Sequence, residues 1–128
     1  MKPIWFGLIL LFLLSLLACR EPAAEDVAAP VIEIHQPEDA ATFQRGDTIL
    51  ISATISENDQ LHLVSFRVID LKTGLQAWEA LFHYHDVAAD FSETFVPEVT
   101  DSTSYQLRVI ALDHHGNEAM DIRHFFIQ

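Results

Sequence analysis

From Pro30 onward the apolar residues of this chain recur at every second position, and that alternation limits the fold more than any other feature. A strand sends successive side chains to opposite faces, whereas a helical face repeats every three to four residues. "VIEI" (31–34) is a first predicted strand, closed by Pro37. After a turn at Gly46-Asp47, a second strand sets Ile49, Ile51, Ala53 and Ile55 on one face. "LHLVSFRVIDL" (61–71) turns Val64, Phe66 and Val68 inward and ends at Lys72-Thr73-Gly74. "QAWEALFHYH" (76–85), "DFSETFV" (90–96), "SYQLRVIALD" (104–113) and "MDIRHFFIQ" (120–128) complete seven strands. Tyr105, Leu107, Val109 and Ala111 share one face of the sixth. The segments are rich in Ile, Val, Phe and Thr and are punctuated by Gly and Pro, which opposes a helical reading. Seven short strands with closely spaced turn signals give an all-β sandwich over residues 31–128.

The front end is different in kind. Lys2, the apolar run Ile4–Leu17 and the small residue Ala18 have the layout of a secretory signal over residues 1–18. The run stops at Cys19-Arg20-Glu21, short of the about 20 residues that a spanning helix needs. Leu16-Leu17-Ala18-Cys19 resembles the bacterial lipobox. That resemblance implies that Cys19 becomes the first mature residue and carries acyl chains on its sulfur and its amine. One chain anchors marginally, at roughly 0.8 kcal/mol per buried CH₂, and two or more anchor stably. An ordinary cleaved signal with a chance cysteine is the alternative.

Cys19 is the only cysteine. Neither an internal disulfide nor a thiol nucleophile within the domain is therefore available. Residues 19–30, "CREPAAEDVAAP", are rich in Ala, Pro and acid and read as a flexible tether. The seven Lys and Arg lose Lys2 with the signal, leaving six against 19 Asp and Glu, a net charge of −13. Such a surface repels nucleic acid and anionic headgroups and suits cation binding.

"PVIEIHQP", "RGDTILISA" and "YQLRVIALDHHGNEA" are similar to successive signatures of bacterial immunoglobulin-like domains, over residues 30–128. The nearest likeness is to small lipoproteins of the Bacteroidota with a single such domain. The resemblance implies an immunoglobulin-like, fibronectin-type sandwich on a lipid anchor, and no reaction. It places Tyr105 where a tyrosine corner would tie its hydroxyl to backbone. It also implies a cell-envelope location. Arg20 after the cysteine favours the outer membrane if the cell is Gram-negative.

In such a sandwich the third, fourth, sixth and seventh strands share a sheet, and alternating directions bring three connections to one pole. That pole collects Glu57, Asn58, Asp59 and His62; His83, His85 and Asp86; and Asp113, His114, His115, Asn117 and Glu118. His83 and His85 lie two apart on a strand, roughly 6–7 Å from each other on one side. With His114 as third ligand they form a candidate Zn²⁺ or Cu²⁺ site. No spacing here matches an established zinc signature, and the plainer reading is an edge strand that carries polar residues outward, here imidazoles. His62 shares parity with inward Val64 and is expected to point away. Asp113, Gly116 and Asn117 suit a hairpin tip, the last two through positive φ. Glu57, Asn58, Asp59 and Asp113 are oxygen donors for calcium, without the dense spacing of a dedicated loop. His35 and His124 are expected at the rim, and Trp78 in or near the core.

Leu63, Ile69, Leu81, Ile110 and Leu112 fall opposite the core side of the same sheet and make a candidate partner face. No nucleophile elbow, phosphate-binding glycine loop or His-Glu-x-x-His helix occurs, so catalysis is not expected. Two functions follow. One is a non-catalytic, lipid-anchored module that contacts a protein or glycan without a cofactor. The other is a Zn²⁺- or Cu²⁺-binding protein.

Overall fold

Alternating residues of this kind can bury only one face, so the strands must stack in layers. The computed structural model describes residues 24–128. The expected signal, 1–18, and Cys19 lie outside the described residues. Eight strands follow in order: β1 (Val31–Gln36), β2 (Ala41–Phe43), β3 (Ile49–Ser56), β4 (Leu61–Asp70), β5 (Gln76–His83), β6 (Ala88–Phe95), β7 (Thr103–Asp113) and β8 (Glu118–Ile127). One sheet has the order β1-β3-β6 and the other β2-β8-β7-β4-β5. This is the all-β sandwich expected, with the expected division of strands between sheets.

The eighth strand is β2, three residues running parallel to β8 from Ala41↔Phe125 to Phe43↔Ile127. Three residues are too few to register as a period-two signal. They carry the chain from β1 to the edge of the opposite sheet, where they cover backbone groups of β8 that an edge strand would leave open.

The inward residues of β3, β4 and β7 meet as the alternation requires. Ile49, Ile51 and Ile55 face Val64, Phe66, Val68, Leu107, Val109 and Ala111, all essentially inaccessible to water. Between the layers Phe66 of β4 stacks on Phe91 of β6, with ring centroids 3.8 Å apart and planes at 17°. Phe82 and Trp78 of β5 close on the same ring at 5.2 and 6.3 Å. Tyr105 stacks on Phe125 at 5.4 Å and meets Phe95 edge-on at 5.6 Å. Its hydroxyl makes no hydrogen bond among the described residues, so the expected tyrosine corner is replaced by aromatic packing. Burial, and then the Asp70 carboxylate, push the Tyr105 hydroxyl pKa up and keep it protonated.

Strand β4 breaks strict alternation once. Leu61 pairs with Asp113 and Leu63 with Leu112, which leaves His62 unopposed in a β-bulge. The extra residue lets Leu61 and Val64 both point into the core. His62 therefore turns outward, contrary to the parity argument.

Truncating the inter-layer stack measures its weight. Phe66→Ala is expected to lower unfolding stability by about 3–5 kcal/mol, read from the urea midpoint, because the cavity lies between two sheets that cannot collapse together. A loss below about 1 kcal/mol would show that the two layers do not meet there.

Candidate functional site

Three connections close one pole of the sandwich: β3–β4 (57–60), β5–β6 (84–87) and β7–β8 (114–117). Backbone hydrogen bonds lace them together. The amides of Glu57, Leu61 and His114 donate to the carbonyls of Val87, Asp86 and Gln60 at 2.7, 3.0 and 3.2 Å. The convergence inferred from alternating strand directions is thus present.

Asp113, only 1% exposed, organises the β7–β8 turn. Its Oδ1 accepts from the amides of His115 and Asn117, each at 2.8 Å, and its Oδ2 accepts from Asn117 Nδ2 at 2.7 Å. Gly116 adopts φ +89°, as the turn requires. Asn117 acts through its side chain rather than through positive φ. Burial alone would raise the Asp113 pKa, but hydrogen bonds from Asn117 and from the His115 and Gly116 amides outweigh it and hold the carboxyl below its ordinary value of 3.8. At the opposite end Asp70 caps the β4–β5 turn by accepting from the Lys72 amide and the Thr103 hydroxyl, at 2.8 and 3.1 Å. Its pKa is lowered too, these bonds prevailing over desolvation.

His62, His83, His85 and His114 gather on the outer side of the five-stranded sheet. His85 Nδ1 and His114 Nε2 are 3.2 Å apart, with rings stacked at 5.3 Å. His62 lies 4.7 Å from the His114 ring and 5.9 Å from the His83 ring. Of the candidate ligands His83, His85 and His114, the last two meet, and His83 stands beside His62 instead. Strand β5 ends at His83 and the Tyr84 amide bonds to the His62 carbonyl, so His85 follows the turning chain toward His114. His62 joins the group only because of the bulge, which single-sequence periodicity does not mark. His35 and His124 are exposed, as expected, the former bonded to Thr54 Oγ1 at 2.9 Å.

Sequence reasoning missed Asp26. It lies in the stretch read as tether, yet its carboxylate accepts from Asn58 Nδ2 and its carbonyl from Asn117 Nδ2, both at 3.0 Å. His115 Nδ1 is 3.6 Å from Asp59 and 3.9 Å from Asp26. Among the described residues, two groups bring three ligand atoms within 4.8 Å of one another. They are Asp26–Asp59–His115 and Asp26–Glu57–Asp113. The trio His83, His85 and His114 does not.

On the outer face of the same sheet the register aligns Leu81, Ser65, Ile110 and Met120 in one row, with Leu63 and Leu112 in the next. Leu81 and Met120 are 51% and 56% exposed, while Leu63, Ile69, Ile110 and Leu112 are half-buried. Ser65 is only 4% exposed although it points away from the core, because its neighbours fold over it. Arg67 and Glu79 border the row with a 2.8 Å ion pair. Among the described residues no helix is long and apolar enough to cross a membrane.

A family model described as a bacterial Ig domain matches residues 30–109. No curated protein sequence matches the chain. Among solved structures, catalytically inactive OgpA from Akkermansia muciniphila, in complex with an O-glycopeptide substrate, is similar with a TM-score of 0.51 and 15% identity. The likeness covers 77% of this chain and 29% of that one, so the chain spans under a third of that protein's length. A superoxide reductase (neelaredoxin) from Ignicoccus hospitalis gives a TM-score of 0.51 and 10% identity, covering 79% of this chain and 81% of its own. At these identities the likeness shows the fold.

The two depressed carboxylates set a pH dependence. Their stabilisation is complete above pH 3.8, where they would ionise in the unfolded chain, and is lost as pH falls through the lower folded values. Thermal melting from pH 7 to 2 should therefore show Tm falling below about pH 4. Asp113→Asn should melt lower than the parent at pH 7, with a smaller further fall in acid. An Asp113→Asn variant as acid-sensitive as the parent would contradict this assignment.

Proposed function

The chain belongs to the bacterial Ig domain family, and from that premise we propose that it is a non-catalytic interaction module, lipid-anchored through Cys19 in the cell envelope, that contacts a protein partner. An Ig-like domain is a rigid scaffold that presents loops and sheet faces for binding. The observation that carries the reading is the apolar row Leu81–Ser65–Ile110–Met120. A sandwich with one solvated face ordinarily alternates apolar inside with polar outside. Here β4, β5, β7 and β8 place apolar side chains outward across adjacent strands, around a serine shielded from water. A contiguous exposed apolar patch marks an interaction surface. The lipobox-like tetrad that ends at Cys19 and the acidic, Pro-containing stretch after it support an anchored position for that face.

The test compares the full chain with a Leu81→Glu, Ile110→Glu double variant, both immobilised in detergent and exposed to envelope extract. The parent is expected to retain a defined protein that the variant releases, with circular dichroism unchanged. Identical retention by both forms, or none by the parent, would count against the reading.

A second reading has its own observation. Two nitrogens on one tetrahedral Zn²⁺, at about 2.0–2.1 Å each, stand roughly 3.3 Å apart. His85 Nδ1 and His114 Nε2 are separated by 3.2 Å, and the adjacent His62 has a buried Nδ1 without a hydrogen-bond partner among the described residues. Calorimetric titration of Zn²⁺ should then give stoichiometric binding that a His85→Ala, His114→Ala variant loses. Absence of heat, or binding untouched by the double change, removes this reading.

A further inference from the structure

The most acidic part of the pole lies apart from both surfaces described so far. Asp26, Glu57 and Asp113 come from three different segments: the arm before β1, the β3–β4 loop and the end of β7. One carboxylate oxygen from each lies within 4.8 Å of the others, with the carboxylate ends of Glu57 and Asp113 buried where they meet half-buried Asp26. Three carboxylates at this separation repel one another, most strongly where water is excluded. Asn58 and Asn117 each donate one amide hydrogen bond to Asp26, and Asn117 also donates to Asp113. Asp113 thus accepts on both of its oxygens and Asp26 on Oδ2, which leaves Glu57 the least satisfied of the three. Glu57 Oε1 accepts from the Asn58 amide at 2.8 Å, whereas its Oε2 is buried with no hydrogen-bond partner among the described residues. A buried, unpaired carboxylate oxygen is costly unless a cation or a donor meets it.

We propose that Asp26, Glu57 and Asp113 form a calcium site that clasps the arm before β1 onto the pole of the sandwich. The donor set selects the ion. All three ligands are hard oxygens, which suits Ca²⁺ rather than Zn²⁺ or Cu²⁺. Ca²⁺ takes oxygens at about 2.3–2.6 Å, so two ligands on one ion lie no more than about 5 Å apart. The observed limit of 4.8 Å meets that condition. Asp59, which shares the Asp26 and His115 neighbourhood, adds a fourth acidic group at the rim. Three carboxylates leave coordination positions for water, as Ca²⁺ sites of moderate affinity commonly do.

The site has a consequence for the arm. Asp26 stands seven residues from Cys19, so an ion held between Asp26 and the pole ties the end of the tether to the domain and shortens its free length. That consequence rests on anchoring at Cys19; the site itself does not.

Calcium chloride titrated into the full chain in detergent at pH 7, followed by calorimetry and thermal melting, tests the proposal. One equivalent is expected to bind and to raise Tm, with amide NMR shifts confined to residues 26–28, 57–59 and 113–117. Glu57→Gln should weaken binding by about tenfold or more, because ligand charge sets affinity. Asp26→Asn should do the same, and it lies outside the strands, so its fold is not in question. His85→Ala and the Leu81→Glu, Ile110→Glu pair should bind calcium like the parent, which separates this site from the surfaces above. No calcium binding, binding unchanged in both carboxylate variants, or shifts centred on His62 and His85 would overturn the proposal.

Discussion

The contact on which the rest depends is the stack of Phe66 on Phe91, one ring from each sheet at 3.8 Å. Two sheets held face to face must keep a fixed relative orientation for their connecting loops to meet. Aliphatic residues fill the space, but they leave many packings of similar energy. Flat rings at van der Waals distance, with Phe82 and Trp78 leaning on one of them, admit few. Strand β6 is thereby fastened to β4 and β5 of the opposite layer. The β5–β6 connection between them is drawn to the pole where β3–β4 and β7–β8 also end.

At that pole the bulge in β4 decides which chemistry goes where. Because the extra residue lies between Leu61 and Val64, both aliphatic side chains enter the core and His62 leaves it. The imidazoles of His62, His83, His85 and His114 then gather outside the five-stranded sheet. The carboxylates gather separately, around Asp113 and Asp26. The pole therefore carries a nitrogen-rich side and an oxygen-rich side. These suit different ions, and neither includes the apolar row further along the sheet.

Much of this was legible in the chain because burial enforces period two. Ile49, Ile51, Ile55, Val64, Phe66, Val68, Leu107 and Val109 alternate in sequence and are all buried. The grouping of the three loops followed from strand direction alone. What escaped depended on single residues without a repeating signal. The three residues of β2 form no period. The bulge at His62 is one inserted position, visible only against its partner strand. The role of Asp26 comes from Asn58 and Asn117, 32 and 91 residues further along the chain, and nothing local to an Ala- and acid-rich arm announces it. Tyr105 was placed correctly in the core, but its hydroxyl was assigned a bond that ring packing replaces.

The two layers meet through Phe66 and Phe91, and the β4 bulge turns His62 out beside His114. Nuclear Overhauser spectra of the isotopically labelled chain read both contacts at once. Cross-peaks are expected between the Phe66 and Phe91 rings, and between the His62 and His114 rings, whose centroids lie 4.7 Å apart. Cross-peaks from His62 to Ile55 or Phe91, with none to His114, would place that ring in the core and rule out the outward bulge.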